Sequence, residues 1–257
     1  MRRRAAALAA LVALAAPAAA SAQGLERILE ADGDAAFRIA TLPGVEVCEG
    51  GGLRMDDGQI TMGRRRRGEE RCRAGAAEVL VTVRDGRVRA IEVGLPGTAR
   101  ADRDLGSIGA SAAAAWLLAL AADPDERAAR DALQPAAIAD SVEVWPRLLA
   151  IGRDGALDRE VRQSALFWVS QAAVRVVTEG LAEVAADERD DEEVRKAAVF
   201  ALSRRPEPES VPALMDIART GPGRGVREAA LFWLAKAEDP RVVEFFQEIL
   251  SGGAPRR

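Results

Sequence analysis

Three stretches in the second half of the chain align without gaps and recur at a nearly constant spacing. The copies begin 33 and then 32 residues apart, and they occupy residues 160–168, 193–201 and 225–233. A fainter copy lies 33 residues before the first, where Ala132-Leu133 matches Ala165-Leu166. A fixed period of this length is typical of supersecondary units that stack, because one unit alone cannot bury its apolar face. This half of the chain is therefore predicted to be a repeat array.

Each unit of the array is predicted to contain two helices. The aligned stretch places apolar residues at helical spacing, as at Val161 and Ala165. A second helix is indicated at the same period by four apolar pairs, which are Leu148/Ile151, Leu181/Val184, Leu214/Ile217 and Phe246/Ile249. Helix N-caps are predicted at Asp158, Asp191 and Ser210. Trp168 and Trp233 occupy equivalent positions and are predicted to lie in the core.

The repeated pattern Asp-x-x-Val-Arg-x-x-Ala is complete at residues 158–165 and 191–198, while the third copy has Gly223 in place of the aspartate. The pattern resembles bacterial HEAT-like repeats of the short, phycobilin-lyase type. The resemblance covers about residues 124–251, and the whole layout is more loosely similar to exported HEAT-repeat proteins. It implies a short α-solenoid of about four repeats with a binding role, and it transfers no catalytic residue.

The same resemblance implies a structural role for a row of arginines. In such repeats the arginine forms a ladder with the cap aspartate of an adjacent repeat. The row consists here of Arg162, Arg195 and Arg227, and the cap aspartates are Asp158 and Asp191.

A row of acidic residues recurs at one position of the second predicted helix. Glu183, Asp216 and Glu248 align there, and Glu179 and Glu244 align one turn earlier. The position follows the apolar Leu or Phe by two residues, so the side chain is expected to point away from the core. One hypothesis is that this row, the acidic stripe, is a surface that attracts a basic segment of a partner protein. An ordinary solvated helix face is the alternative.

The first half of the chain carries strand signals. Residues 78–84 alternate between apolar and polar faces, and Asp85-Gly86 separates them from a second run at 87–94, which predicts a β-hairpin. The alternation slips between Arg89 and Ile91, which predicts a β-bulge. Weaker strands are predicted at 45–48 and 59–62, and a short helix at 25–31. This half is predicted to be a small β-rich module.

Residues 1–22 combine three arginines, an apolar stretch and an Ala-x-Ala site before Gln23, which predicts a cleaved signal peptide. In an exported protein Cys48 and Cys72 are expected to form a disulfide. A redox pair is the alternative, although the spacing is far from Cys-x-x-Cys. The predicted organisation is a signal peptide, the β-rich module, the solenoid and a flexible tail, at residues 1–22, 23–106, 107–251 and 252–257.

The composition narrows the possible functions. The chain of 257 residues has no histidine and two cysteines, which excludes Ser-His-Asp, Cys-His and histidine-based zinc sites. Loss of the leader leaves 33 basic and 40 acidic residues, and this acidic balance argues against nucleic acid as a partner. We expect no metal, no cofactor and no membrane span after leader removal. The sequence predicts a non-enzymatic, periplasmic or secreted scaffold for a protein partner. A periplasmic small-ligand-binding module and a carboxylate-based hydrolase are the alternatives.

Overall fold

The computed structural model describes residues 24–55, 61–62, 71–172 and 175–251, with the backbone alone for residues 61–62. The chain divides into two units. The first unit holds the residues up to Trp116 together with Ile138–Val142, and the second holds Leu117–Ala137 and the residues from Glu143 onward. The predicted β-rich module ends at residue 106, whereas the main segment of the first unit continues for ten more residues, to Trp116. The predicted signal peptide and flexible tail lie outside the described residues.

The first unit contains two four-stranded sheets. Its strands are β1 (Gly33–Ala40), β2 (Val45–Cys48), β3 (Leu53–Met55), β4 (Thr61–Met62), β5 (Cys72–Ala74), β6 (Ala76–Arg84), β7 (Arg87–Gly94) and β8 (Arg103–Ser107). The strand order is β7-β6-β1-β8 in one sheet and β4-β3-β2-β5 in the other. The β-rich character predicted for this part of the chain is confirmed.

The predicted hairpin is formed by β6 and β7. Asp85 and Gly86 join the strands, and both have positive φ, as a two-residue hairpin turn requires. The predicted bulge is also present, because Arg89 is the extra residue between the pairs Thr82–Ala90 and Val83–Val88. The inward side chains of β6 pack with Phe37 of β1 in the core. The predicted lead-in helix is a short helical segment that ends as a 3₁₀ turn at Arg27–Glu30.

The predicted disulfide cross-links two neighbouring strands of the second sheet. Cys48 of β2 and Cys72 of β5 lie directly opposite each other in the antiparallel register, and their sulfurs are bonded at 2.00 Å. The two cysteines are separated by 24 residues in the sequence. In the chain-entropy description, a cross-link of this span stabilises the fold by restricting the unfolded chain.

The helices follow in chain order. They are α1 (Ala110–Ala121), α2 (Ala129–Ala137), α3 (Trp145–Arg153), α4 (Arg159–Val169), α5 (Val176–Ala186), α6 (Glu192–Ser203), α7 (Glu207–Thr220), α8 (Arg224–Leu234) and α9 (Pro240–Leu250). In the parts of the chain that the structure describes, no helix is long and apolar enough to cross a membrane.

The helices of the second unit pair and stack, as predicted. The antiparallel hairpins are α3 with α4, α5 with α6, and α7 with α8. Equivalent helices of successive hairpins also pack together, so that α4 contacts α6 and α6 contacts α8. Each hairpin therefore begins with the helix that carries the Leu148-type pair and ends with the helix that carries the aligned Val-Arg stretch. We call the first helix of a hairpin its opening helix and the second its closing helix. By this order α9 is an opening helix, and the described chain holds no closing helix after it.

The helix starts confirm some of the predicted N-caps and correct one. The Asp191 carboxylate accepts the backbone N–H of Glu193 at 2.8 Å and caps α6. Asp158 holds the N-cap position of α4 without a side-chain cap bond. The prediction for Ser210 was wrong, since this residue is buried inside α7. The helix begins earlier, at Glu207, because a proline in the first turn needs no hydrogen-bond acceptor.

Candidate interaction surfaces of the helical unit

Arg162 is the best-connected member of the predicted arginine row. Its buried side chain donates from Nε to the Gly152 carbonyl at 3.1 Å, at the end of α3. Its two terminal nitrogens bind both carboxylate oxygens of Asp190, with Nη1 to Oδ1 at 2.8 Å. The carboxylate partner is thus Asp190, and the resemblance-based expectation of a cap aspartate was wrong here. Asp191 is engaged at the helix N-terminus, so its neighbour Asp190 supplies the inward carboxylate.

The other two arginines of the row bind carbonyl oxygens. Arg195 is buried and donates from Nη1 to the Pro222 carbonyl at 2.7 Å, while its Nε has no hydrogen-bond partner among the residues described. Arg227 donates to the Gly221 carbonyl at 2.9 Å. The sequence Gly221-Pro222-Gly223 takes the place of the loop that carries Asp190, so Arg195 finds no carboxylate there. The row links loops and helices, which is a structural role.

A further buried arginine was not noticed in the sequence. Arg205 donates to the Ser170 and Ala172 carbonyls, to the Thr178 hydroxyl at 3.2 Å and to the Glu209 carboxylate at 3.2 Å. The Thr178 hydroxyl in turn donates to Glu209 at 2.7 Å. These bonds, Thr178 first and Arg205 next, lower the pKa of the Glu209 carboxyl below its usual value. No repeat signal could have shown Arg205, since alanines hold the equivalent positions.

The acidic stripe is present on the surface but is interleaved with arginines. Glu179, Glu183, Asp216 and Glu244 are exposed, and Glu248 is half-buried. Glu183 pairs with Arg153 of α3, and Glu248 pairs with Arg219 of α7 at 2.9 Å. The sequence reasoning missed both arginines, although Arg219 lies one helical turn after Asp216. A basic partner would have to displace these two arginines to reach two of the five acids.

A row of aromatic side chains crosses the closing helices of the three hairpins. The rings of Phe167 and Phe200 are stacked with centroids 6.4 Å apart, and Phe200 approaches Trp233 at 5.2 Å. Trp233 also contacts Phe232 at 5.1 Å. The prediction of a core position holds for Trp168, which is buried, whereas Trp233 is only half-buried. The signal for this aromatic row was the phenylalanine that precedes the tryptophan or alanine in every aligned stretch.

The half-exposed state of the aromatic row has a geometric cause. The residues one position later, Trp168 and Ala201, are buried, as are Val169 and Leu202 after them. Because successive residues of a helix point in directions about 100° apart, the phenylalanine is turned toward the edge of the buried face. The row is thus packed along its length between neighbouring helices and open on its outer side.

A charged cleft of about 850 Å³ lies at the starts of α2, α4 and α6. Its lining includes Arg127, Arg130, Arg159, Asp158 and Glu160. Within this lining Arg130 pairs with Glu160 at 3.2 Å. In the described ranges, no group of three or more Asp, Glu, Cys or His residues is placed to hold a metal ion.

Comparison with known proteins identifies the helical repeats. The family of HEAT repeats matches residues 146–235 and, overlapping them, residues 178–256. The first match begins in α3 and ends just after α8, so it covers the three closed hairpins. A HEAT repeat domain therefore spans residues 146–256. No curated protein matches the chain.

Proposed function

We propose that this protein is an exported, non-enzymatic scaffold whose HEAT repeats bind a protein partner. HEAT repeats are associated with protein interactions, because stacked hairpins present an extended surface on which many shallow contacts add up. The observation that carries the proposal is the aromatic row of Phe167, Phe200, Trp233 and Phe232. A contiguous row of aromatic side chains that is partly exposed to solvent is typical of interaction surfaces.

Export is proposed on two grounds. The Cys48–Cys72 bond is of a kind that persists in oxidising compartments such as the periplasm or the exterior of the cell. The arginines and apolar stretch of residues 1–22 are typical of a signal peptide. The acidic stripe is proposed as a second contact surface, for which the partner would supply the basic groups.

The test is cross-linking capture of the tagged protein in its native envelope, followed by identification of bound proteins by mass spectrometry. We expect a specific partner that is lost when Phe167 and Phe200 are both replaced by serine. The control is Val176→Ser, which removes an exposed apolar side chain outside the row. A parallel variant, with Glu183, Asp216 and Glu248 changed to arginine, tests the stripe.

The outcomes separate the two surfaces. Loss in the serine variant alone assigns binding to the aromatic row, and loss in the arginine variant alone assigns it to the stripe. Capture of the same proteins by all variants contradicts the assignment of binding to either surface, and capture of none above background contradicts the scaffold proposal. Circular dichroism of each variant verifies that the helices are retained.

A further inference from the structure

Helix α9 exposes a face that the preceding opening helices bury. Val243 is 60% exposed and Leu250 is 85% exposed, whereas the equivalent residues of α7, Val211 and Ala218, are 0% and 8% exposed. Ile249 is likewise exposed, and its equivalent Ile217 is buried. Helix α7 has its most extensive contacts with the closing helix α8. The exposed face of α9 is therefore the face on which a closing helix would pack.

A second wall adjoins this face. Each closing helix after the first also packs on the closing helix before it, and Phe200 of α6 contacts Trp233 of α8 in this way. Phe232, which is equivalent to Phe200, is exposed on α8. Four of the six large apolar side chains exposed in the described chain thus belong to this one place. They are Phe232, Val243, Ile249 and Leu250, and we call them the end seat.

We propose that the end seat binds an amphipathic helix from another protein chain, which takes the position of the next closing helix. The inference rests on the proposed scaffold function and names the kind of partner segment that one of its surfaces fits. The closed hairpins show what the occupant needs. Its apolar residues follow the spacing of Val161, Ala165, Leu166 and Val169, and it runs antiparallel to α9.

Charge favours an arginine near the start of this helix. In the first hairpin Arg162, in the first turns of α4, donates to the Gly152 carbonyl at the end of α3. In the third hairpin Arg227 donates to the Gly221 carbonyl after α7. The end of α9 likewise presents carbonyl oxygens at the negative end of the helix dipole. An antiparallel occupant would place its first-turn arginine against them.

Size selects a small residue opposite Leu250. The equivalent residue in the first hairpin is Gly152, and a Cβ atom there would lie 2.6 Å from the side chain of Leu166. The other two equivalents are Ala185 and Ala218, so Leu250 is the largest residue at this position. A leucine at the Leu166 position of the occupant would therefore be crowded by Leu250. We expect the occupant to carry alanine, serine or glycine there, so that it differs from the closing helices of this chain.

The probe is a fluorescent peptide with the sequence of residues 222–236 and the change Leu231→Ala. A hydrocarbon staple replaces Arg224 and Glu228, an exposed pair one turn apart, to hold the peptide helical. Binding to the purified protein is followed by fluorescence anisotropy. We expect saturable binding that weakens at least tenfold in Leu250→Glu. The matched control is Val176→Glu, which places the same charge at an exposed valine of α5 and should bind as the unaltered protein does.

Two further peptides test the specificity of the binding. The peptide with leucine retained at 231 should bind at least threefold more weakly, and a scrambled peptide should not bind. Absence of saturable binding, or equal binding to Leu250→Glu, overturns the proposal. A dimer in sedimentation velocity that Leu250→Glu dissociates also overturns it, because a second copy would then cover the seat. Since this assay captures nothing from the envelope, it can succeed or fail independently of the scaffold test.

Discussion

The bond between Arg162 and Asp190 makes the most direct test of how the stack is held together. Replacement of Asp190 by alanine leaves the buried guanidinium with the Gly152 carbonyl as an acceptor and no carboxylate. Removal of one partner from a buried ion pair costs about 3–5 kcal/mol. The Asp190 side chain is 12% exposed, so water can reach part of the vacated site. We therefore expect a loss of about 3 kcal/mol, at the lower end of that range.

The assay is urea unfolding at neutral pH, followed by the helical circular dichroism signal. With a slope of about 2 kcal/mol per molar urea, a 3 kcal/mol loss lowers the midpoint by about 1.5 M. The matched control is Glu160→Ala, which breaks the exposed Arg130–Glu160 pair and should cost less than about 1 kcal/mol. The double variant Arg162→Met with Asp190→Leu replaces the pair by apolar side chains and should recover most of the loss. If Asp190→Ala costs no more than Glu160→Ala, the reasoning is refuted.

Three more results are expected. Replacement of Cys48 and Cys72 by serine should destabilise the β-rich unit by about 3 kcal/mol. In thermal unfolding, reductant should lower the transition of the unaltered protein to that of the serine variant, and an unchanged transition would contradict the role of the bond. The pKa of Glu209 is lowered in the folded protein, so the stability contributed by its carboxylate is present above the unfolded pKa and is lost as the pH falls through the lower folded pKa. Between about pH 5 and pH 3 the urea midpoint should therefore fall less steeply in Glu209→Gln than in the unaltered protein. Equal slopes would refute this. Gly152→Ala should lower the free energy of unfolding by about 1–3 kcal/mol despite the better helix propensity of alanine, because the added Cβ meets Leu166. In a Leu166→Ala background the same change should cost nothing further. An increase in stability on Gly152→Ala alone would contradict the contact.

The sequence was informative where a local rule decides the structure. The Asp85-Gly86 turn, the alternation along β6 and the 33-residue period each follow from short-range geometry, and the structure agrees with them. The period could not show which helix opens a hairpin, because a repeat has the same period from any starting point. Contacts between α3 and α4 decide that question.

The surfaces were harder to predict because they depend on neighbours from other repeats. Asp190 and Asp191 are adjacent, and the sequence could not show that Asp190 points inward. Arg153 reaches Glu183 from a different hairpin, 30 residues away, so the composition of one helix face gave an incomplete account of its charge. Trp233 and Trp168 occupy equivalent positions, yet Trp233 is less buried because fewer helices surround the last hairpin.

The three arginines of the row are held by different hydrogen-bond acceptors, so the hairpins are expected to open in a fixed order. Arg162 is anchored by a carboxylate, Arg195 by a single carbonyl and Arg227 by a carbonyl next to its own helix. In an array whose units contact only their neighbours, opening begins where the local free energy is smallest. Amide protons of α8 and α9 should thus exchange with solvent before those of α3 and α4. Opening would then proceed from the last described hairpin toward the first, so a segment bound against α9 would also slow it.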